Sequence, residues 1–205
     1  MKKCVIFCAG GFDALVEPLG QADFLVAADG GLVHTQKLGI TPDLILGDFD
    51  SLGYVPQGAV VHPVEKDDTD AMLAVREGLQ QGCDTFLLYG SLDGERLDHT
   101  VANYQTLQFL ADRGCRGYLV GLNQIATVVK EGSLEFPEDS RGYVSVFCIG
   151  AEATGVRIKG LQYEMDGSTL SPGFPLGVSN RFMGRKSEIS VEKGSLLVIW
   201  QREKS

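Results

Sequence analysis

The chain has 205 residues and a formal net charge of −9 at pH 7, and its hydrophobic content of 44% is ordinary for a globular protein of one large or two small domains. The acidic balance, without a basic stripe to neutralise phosphates, argues against a nucleic-acid partner. No apolar run approaches the roughly 20 residues that a membrane-spanning helix requires, so no membrane partner is expected.

Short apolar runs alternate with helical patterns over about the first 125 residues. The apolar runs predict strands at residues 4–9, 24–28, 44–46, 60–61, 85–89 and 118–120. The helical patterns predict helices at residues 32–38, after a cap at Asp68 or Thr69, and at 98–112. This alternation is typical of an α/β fold, with a mostly parallel sheet and helices on both faces.

The two longer helical patterns also predict which side chains pack on the sheet. In the earlier helix these are Met72, Leu73, Val75 and Leu79. In the later helix they are Val101, Leu107, Phe109 and Leu110.

After about residue 125 the helical periodicity fades and short strand-like runs follow, punctuated by Gly and Ser. The clearest runs are ATVVK, YVSVFCIG, TGVRIKGL and EISVEKGSLLVIW. They predict an antiparallel β domain, built as a sandwich or a barrel. We therefore expect two domains, an α/β domain at residues 1–125 and a β domain at residues 126–205.

The five cysteines are scattered, odd in number and without paired metal-ligand spacing. Cys4, Cys8 and Cys148 lie in apolar runs and are expected to be small core residues. This usage indicates a reducing cytoplasm and no disulfide framework.

Two carboxylates follow the predicted third strand directly, in the stretch PDLILGDFDS at Pro42–Ser51. If the chain stays extended there, Asp48 and Asp50 point to the same side because side chains alternate along a strand. Like charges held close together repel unless a cation joins them, and carboxylate oxygens suit Mg²⁺. The alternative is a solvated, Asp-rich turn that has no metal.

A second acidic cluster, EKDDTD, includes Asp67 and Asp70. Asp70 falls in the first turn of the predicted helix, where the positive end of the helix dipole favours an anion. Taken alone, the cluster fits an ordinary helix start. Beside the carboxylate pair at a neighbouring strand end, it favours a shared metal site instead.

The third polar element is GSLDGERLDHTVAN, which follows the predicted fifth strand. Gly90 and Gly94 let backbone amides approach a phosphate, and Arg96 can form paired hydrogen bonds with phosphate oxygens. Asp98 and His99 open the next helix, where a histidine is more often structural than catalytic. Neither a Walker loop nor a GxGxxG fingerprint occurs in the chain.

These residues indicate an α/β domain with one metal site and a phosphate ligand, and an appended β domain. Phosphoryl-type transfer is the leading interpretation, because its catalysis consists mostly of metal clamping and positioning.

The motifs together resemble those of the thiamine pyrophosphokinase family, in the same order and over most of the chain. The matching segments are ADGG at Ala28–Gly31, PDLILGDFDS at Pro42–Ser51, KDDTD at Lys66–Asp70, GERLDH at Gly94–His99, GLQY at Gly160–Tyr163 and GVSN at Gly177–Asn180. GDFDS followed by KDDTD is a specific combination, whereas GVSN alone would be weak.

The resemblance implies transfer of the diphosphate of ATP to the hydroxyethyl oxygen of thiamine, with AMP as the leaving group. It implies that the α/β domain is catalytic and binds ATP and Mg²⁺. The metal ligands that it implies are Asp48, Asp50 and Asp70, with Asp67 as a further candidate. The residues that it places around the nucleotide or thiamine are Asp29, Gly30, Arg96 and Asp98, and Asp98 could also act in catalysis.

The resemblance further implies a homodimer whose site joins the α/β domain of one chain to the β domain of the other. Tyr163 would then stack on thiamine, with Ser179 and Asn180 beside it. A flat cation on an aromatic face is physically favourable, although Tyr163 could instead be a packed surface aromatic. Gln162 stands where the family often has a lysine.

Two other functions remain open at the level of sequence. The first is diphosphate transfer to another small alcohol, such as a pterin. The second is a metal-dependent nucleotide sensor, which needs affinity but no reaction centre.

Overall fold

The structure is a computed structural model that describes residues 2–50, 52–63 and 67–202. Ser51 and Lys66, which belong to two of the sequence motifs, lie outside the described residues. The chain divides into two compact units, Met1–Leu122 and Asn123–Ser205. Within the described part, no helix combines the length and the hydrophobicity needed to cross a membrane.

The first unit alternates strands and helices, as the sequence predicts. Its strands are β1 (Lys3–Phe7), β2 (Phe24–Ala28), β3 (Leu44–Gly47), β4 (Val60–Val61), β5 (Thr85–Tyr89) and β6 (Arg116–Val120). Its helices are α1 (Leu32–Leu38), α2 (Asp70–Gln80) and α3 (Leu97–Ala111), and a 3-10 turn at Asp29–Gly31 precedes α1.

The six strands of this unit form a parallel sheet in the order β6-β5-β1-β2-β3-β4. The chain builds the sheet outward from β1 to β4 and then crosses to the other side of β1 to add β5 and β6. The order therefore reverses between β1 and β5, and ligands of open α/β sheets bind in the crevice at such a point. The predicted parallel sheet is confirmed.

Helical segments cover both faces of this sheet, as predicted. On one face α2 approaches so closely that a Cβ added at Gly78 would lie 2.7 Å from Cys4 Sγ. On the other face the rings of Phe7 and Phe12 lie 5.8 Å apart, and the ring of Phe12 lies 5.2 Å from that of His34 in α1. Cys4 and Phe7 are three positions apart on β1 and so face opposite sides.

The buried side of α2 differs from the predicted one. Its buried residues are Ala71, Ala74, Val75 and Gly78, whereas Met72, Leu73 and Leu79 are only partly buried. The cause is the short distance between helix and sheet, which leaves room only for small side chains. The larger apolar residues lie at the flanks of the contact.

The prediction for α3 is also partly wrong. Leu107 and Leu110 are buried, but Val101 is 50% exposed. Phe109 is partly buried, and the guanidinium of Arg113 lies 3.4 Å from the centroid of the Phe109 ring. This ring therefore contacts a cation in addition to the core.

The cysteines are free, and Cys4, Cys8 and Cys148 are buried as predicted. Burial raises the pKa of the Cys8 thiol to about 12, so this group stays protonated at neutral pH. Cys115 is partly exposed.

The second unit is antiparallel, as predicted. Its strands are β7 (Gln124–Phe136), β8 (Tyr143–Lys159), β9 (Met165–Leu170), β10 (Gly177–Arg181) and β11 (Ser187–Gln201). They pair in the order β10-β8-β11-β7, and β9 pairs with the later half of β8.

The long strands of this unit fold back on themselves. Trp200 pairs with Ile125 at the start of β7, eleven residues from Phe136, a separation of roughly 36 Å along a straight strand. The rings of Phe136 and Trp200 nevertheless lie 5.3 Å apart. The sheet therefore bends into two layers around one hydrophobic core, helped by the irregular register between Val191 and Ser195.

Candidate functional site

A cavity of about 760 Å³ opens in the first unit, at the carboxyl ends of β1 and β5 where the strand order reverses. This volume is typical of small-molecule sites. Its lining comes from the loops after β1, β2 and β5 and from the N-terminal parts of α1, α2 and α3. The sequence-predicted residues in the lining are Asp29, Asp70, Gly90, Gly94, Arg96 and His99.

Backbone contacts hold the loops after β1 and β5 together at the cavity. The N–H of Gly10 donates to the carbonyl of Gly90 (3.0 Å), and the N–H of Gly11 donates to that of Asp93 (3.3 Å). Gly90 has a φ of +66°, and a Cβ there would lie 2.6 Å from the carbonyl oxygen of Cys8. Glycine at this position therefore allows the two loops to meet.

Two helix N-termini open into the cavity. Thr69 caps α2 by accepting a hydrogen bond from the N–H of Met72 (3.2 Å), and Asp70 and Ala71 line the cavity. Thr69 was one of the two caps predicted. Thr100, in the first turn of α3, also lines it. The N–H groups at a helix start carry a partial positive charge, which suits an anionic ligand.

Asn103 is a cavity residue that the sequence interpretation missed. It is buried, and its Nδ2 donates to the carbonyl of Ser91 (2.8 Å), which ties α3 to the loop after β5. Ser91 Oγ in turn donates to the carbonyl of Leu88 (2.6 Å). The available signal was an amide side chain on the same face of α3 as Leu107 and Leu110.

His34 lines the cavity as well, although the sequence interpretation gave it no role. Its Nε2 lies 2.8 Å from the carbonyl oxygen of Gly10. Because a carbonyl can only accept, Nε2 carries the hydrogen, and the ring steadies the loop after β1. Residues 9–12 follow the end of β1, and ligands of parallel α/β sheets bind beyond the carboxyl ends of the strands, so this rule could have identified the loop.

Three carboxylates converge beside this cavity. One oxygen each from Asp29, Asp48 and Asp50 lies within 4.8 Å of the others. Asp29 also lines the cavity, and so connects the carboxylate cluster to it. The cluster contains the two aspartates of the DFD motif, together with an aspartate predicted to contact the ligand rather than the metal.

The DFD aspartates do not converge by strand alternation, so the expectation of an extended backbone is wrong. Phe49 lies between them with a φ of +58°, in the left-handed region that non-glycine residues rarely adopt. Phe49 is only 2% exposed, and this burial holds it in place. The N–H of Asp50 donates to Asp48 Oδ1 (3.3 Å), which closes a tight turn that brings the carboxylates together.

Gly47 allows Asp29 to come close to this turn. It has a φ of +151°, and a Cβ there would lie only 3.0–3.1 Å from three atoms of Asp29. Asp29 itself has a φ of +48°. Both loops that contribute to the trio therefore contain a residue with strained backbone, Asp29 after β2 and Phe49 after β3, as is typical of a functional site that the surrounding structure holds in place.

The cluster fits a hard divalent cation. Three carboxylates provide oxygen ligands and enough negative charge for Mg²⁺, which prefers oxygen over nitrogen or sulfur. Among the described residues that could hold a metal, this trio is the group whose ligand atoms lie together.

The described aspartates of KDDTD are not part of the group whose oxygens lie within 4.8 Å of one another. Asp70 belongs to the cavity lining and has a buried Oδ1, whereas Asp67 is exposed and lies outside the lining. Asp68 forms an ion pair with Arg76 at 2.8 Å.

Arg96 and Asp98 form an exposed ion pair at 2.6 Å, in which Arg96 lines the cavity and Asp98 does not. The hydrogen bond from Arg96 lowers the pKa of the Asp98 carboxyl below its usual range, and Asp98 raises the pKa of the guanidinium. Gly30, predicted to contact the nucleotide, lies in the 3-10 turn and outside the cavity lining.

The predicted thiamine residues lie together in the second unit. Tyr163 is 60% exposed, and its hydroxyl accepts a hydrogen bond from Gln162 Nε2 (3.2 Å). Ser179 is exposed, with a φ of +61°, whereas Asn180 is only 3% exposed. The Asn180 side-chain amide bonds to the backbone of Tyr163, so these residues form one local structure.

Two family models match the chain, one in each unit. The model for the catalytic domain of thiamin pyrophosphokinase matches residues 16–119. The model for the vitamin B1 binding domain of thiamin pyrophosphokinase matches residues 133–196. Together the two matches span most of the chain.

Individual relatives agree with these models. The thiamine pyrophosphokinase of Bacillus subtilis is 25% identical over 210 residues, which cover 96% of this chain and 98% of that protein. A crystal structure of the B. subtilis enzyme superposes with a TM-score of 0.83 at 22% identity, over 100% of both chains. A crystal structure of thiamin pyrophosphokinase from Geobacillus thermodenitrificans gives a TM-score of 0.79 at 26% identity, over 100% of this chain and 99% of that one.

Proposed function

The chain belongs to the thiamin pyrophosphokinase family and is an ATP-dependent thiamine diphosphokinase, and we propose that its reaction takes place at the cavity of the first unit. The reaction transfers the diphosphate of ATP to the hydroxyethyl group of thiamine, giving thiamine diphosphate and AMP. The observation that carries the choice of site is the carboxylate trio Asp29, Asp48 and Asp50 beside a cavity into which two helix N-termini open. In this assignment residues 1–125 form the catalytic domain and residues 126–205 the domain for thiamine binding and dimerisation.

The triphosphate of ATP binds where the loops after β1 and β5 meet the starts of α2 and α3. Backbone N–H groups at Ala71 and around Gly94 supply donors without adding charge. Arg96 supplies a guanidinium that Asp98 holds in place. These local donors offset the overall acidity of the protein, which would otherwise repel the nucleotide.

The carboxylates of Asp29, Asp48 and Asp50 are suited to hold Mg²⁺, and Asp70 lies at the same cavity as a further acidic group. When bound, the ion would withdraw charge from the phosphate oxygens and so ease attack at phosphorus. The chain itself orients the nucleotide by its helix starts and loops. Good alignment of the two reactants supplies much of the remaining rate enhancement.

Asp98 has a positioning role in this assignment and does not act as a base. Its lowered pKa makes it a weak proton acceptor, and its carboxylate already accepts hydrogen bonds from Arg96 Nε and Nη2. The thiamine hydroxyl needs little deprotonation in a loose phosphoryl-transfer transition state, so the reaction does not require a strong base here.

Tyr163 stacks on thiamine, with Ser179 beside it, because an exposed aromatic face attracts a flat cation. We propose that the enzyme is a homodimer, in which these residues of one chain complete the cavity of the other. The same unit has exposed apolar side chains, which support the proposal that a second chain covers this surface. They are Phe174, Leu176, Val178 and Met183.

The activity is tested by measuring AMP and thiamine diphosphate after incubation with ATP, thiamine and Mg²⁺. We expect one AMP for each thiamine diphosphate, and no product when EDTA removes the metal. Hydroxymethylpterin in place of thiamine should give no AMP. Release of AMP with the pterin and none with thiamine would reverse the choice of acceptor, and tight ATP binding without any turnover would indicate a sensor.

The shared site is tested by mixing the variants Asp48→Asn and Tyr163→Ala under conditions that allow subunits to exchange, with thiamine well below its wild-type KM so that both variants are impaired. If each site uses both chains, every mixed dimer has one intact site, and about a quarter of wild-type activity returns. If each site lies within one chain, the mixture gains nothing over the average of the two variants. Light scattering after gel filtration checks the dimer itself.

The location in the cell is a separate proposal. Free and mostly buried thiols suit the reducing cytoplasm, where the odd number of cysteines has no need to pair. Separation of cytoplasmic from secreted fractions, followed by the AMP assay, tests it.

A further inference from the structure

A β-bulge determines which side chains of β10 face inward. Gly177 pairs with Val146 and Asn180 with Val144, so β10 uses one more residue than β8 over the same distance. Without the extra residue, alternation would turn Asn180 outward. With it, Gly177 and Asn180 are both buried, whereas Val178 and Ser179 are exposed.

Asn180 uses its buried amide to hold the backbone of Tyr163. Its Oδ1 accepts the N–H groups of Tyr163 (3.0 Å) and Arg181 (2.9 Å), and its Nδ2 donates to the carbonyl of Tyr163 (2.6 Å). An amide oxygen has two lone pairs, and both are engaged here. With 3% of the residue exposed, little of Asn180 is left to contact a ligand directly.

A second set of contacts holds the other end of the same loop. Glu164 Oε1 accepts the N–H of Gly160 (2.8 Å) and a hydrogen bond from Arg185 Nη2 (3.3 Å). Arg185 Nε also donates to the carbonyl of Gly160 (3.1 Å). The segment 160–164 is thus fixed at both ends, yet the ring of Tyr163 is exposed.

We propose that Asn180 is a positioning residue, which fixes the exposed ring of Tyr163 in place for thiamine and makes no necessary contact with the substrate itself. The inference rests on the proposed function, in which Tyr163 stacks on thiamine. Fixing an aromatic face before binding reduces the entropy lost when the ligand arrives. The bulge at Ser179 is the backbone feature that turns the Asn180 side chain inward, where its amide binds the backbone of Tyr163.

A double-mutant cycle distinguishes positioning from direct contact. The variants are Tyr163→Ala, Asn180→Ala and the double variant, each assayed for the kcat and the KM of thiamine. We expect the KM to rise by about thirtyfold in Tyr163→Ala and about tenfold in Asn180→Ala, with kcat within about twofold. This pattern is expected when the lost interaction is equally strong in the substrate complex and in the transition state. Because Asn180 acts through Tyr163, the double variant should match Tyr163→Ala.

Three results would overturn the inference or its premise, and they can be told apart. If the two KM effects multiply in the double variant, Asn180 contacts thiamine independently of Tyr163. If Asn180→Ala leaves the KM unchanged while Tyr163→Ala raises it, the positioning role fails and the thiamine site stands. If Tyr163→Ala itself has a wild-type KM, the proposed stacking is wrong.

Two milder changes keep the test valid if Asn180→Ala does not fold. Asn180→Asp keeps the acceptor oxygens but loses the donor to the Tyr163 carbonyl, and Glu164→Ala loosens the other end of the loop. Both should raise the KM of thiamine about threefold or more without changing the KM of ATP. Glu192→Ala is the matched control, because it removes a comparable ion pair, with Arg157, that does not involve residues 160–164.

Discussion

The two units of the chain position their functional side chains by different means. In the parallel unit the strand topology delivers Asp29 and Asp48 to one edge of the sheet, because every strand ends on the same side. In the antiparallel unit neighbouring strands end on opposite sides. There, Tyr163 and Asn180 are brought together by one bulge and a set of side-chain hydrogen bonds.

The difference predicts how each unit responds to mutation. In the first unit the sheet fixes the backbone. Activity should therefore be lost when a mutation removes a charge or inserts a side chain between loops that are in contact. In the second unit local hydrogen bonds fix the loop, so single side chains should alter affinity more than turnover.

Loss of one charge from the trio should have the largest effect. We expect Asp48→Asn and Asp50→Asn each to lower kcat on the order of a thousandfold, since a neutral amide is a poorer ligand for a hard cation. Circular dichroism should show an unchanged fold. Asp68→Asn is the control, because Asp68 pairs with Arg76 at the same acidic segment and should lose little activity.

A side chain inserted at Gly47 should have the second-largest effect. In Gly47→Ala the new Cβ would meet the backbone of Asp29 at about 3 Å, in a conformation that alanine disfavours. We expect about a hundredfold loss of kcat/KM and a loss of about 1–3 kcal/mol in the free energy of unfolding. Gly173→Ala, where a Cβ has space, should change neither quantity. An active and stable Gly47→Ala enzyme would contradict the close contact.

Asp98→Asn should have a moderate effect that does not depend on pH. Pairing lowers the pKa of Asp98 below its ordinary value near 3.8 and raises that of Arg96, so both groups stay charged from pH 6 to 9. The pair is lost only when the pH falls through the lowered Asp98 pKa. We expect the KM of ATP to rise by less than about tenfold across this range. A much larger fall in kcat, with the loss of one limb of the pH–rate profile, would instead identify Asp98 as a base.

The smallest effect should come from the bulge in the second unit. Ser179 has a φ of +61°, which a β-branched residue adopts only with strain. We expect Ser179→Val to lower the free energy of unfolding by about 1–2 kcal/mol, and Ser179→Gly to leave it unchanged or slightly higher. Thermal unfolding of both variants measures this. Equal melting temperatures for Val and Gly would show that the bulge is not strained.

Much of the first unit could be predicted from the sequence, because parallel strands all end at one edge of the sheet and the residues that follow them lie close together. Alternating apolar runs identified the parallel sheet, and the position of polar segments directly after predicted strands identified Asp48 and Arg96. The left-handed turn at Phe49 could not be predicted from the sequence, because it depends on the burial of Phe49 in the folded protein. The small-residue face of α2 was also missed, because periodicity does not report the distance between helix and sheet.

In the second unit the antiparallel fold followed from the strand pattern, but the local arrangement did not. Tyr163 and Asn180 became candidates only through the resemblance to a known family. A bulge is a register difference between two strands that are distant in sequence, and no local pattern in the GVSN segment reveals it. The burial of Asn180 was therefore unpredictable.

The most direct test of the account is to locate the metal. A crystal grown with Mn²⁺, thiamine and a non-hydrolysable ATP analogue would show the ion by its anomalous scattering. We predict a peak within about 2.5 Å of carboxylate oxygens from Asp29, Asp48 and Asp50, next to the phosphates in the cavity. An ion bound by Asp67 and Asp70 with none of these three aspartates, or no ion near the phosphates, would contradict the account.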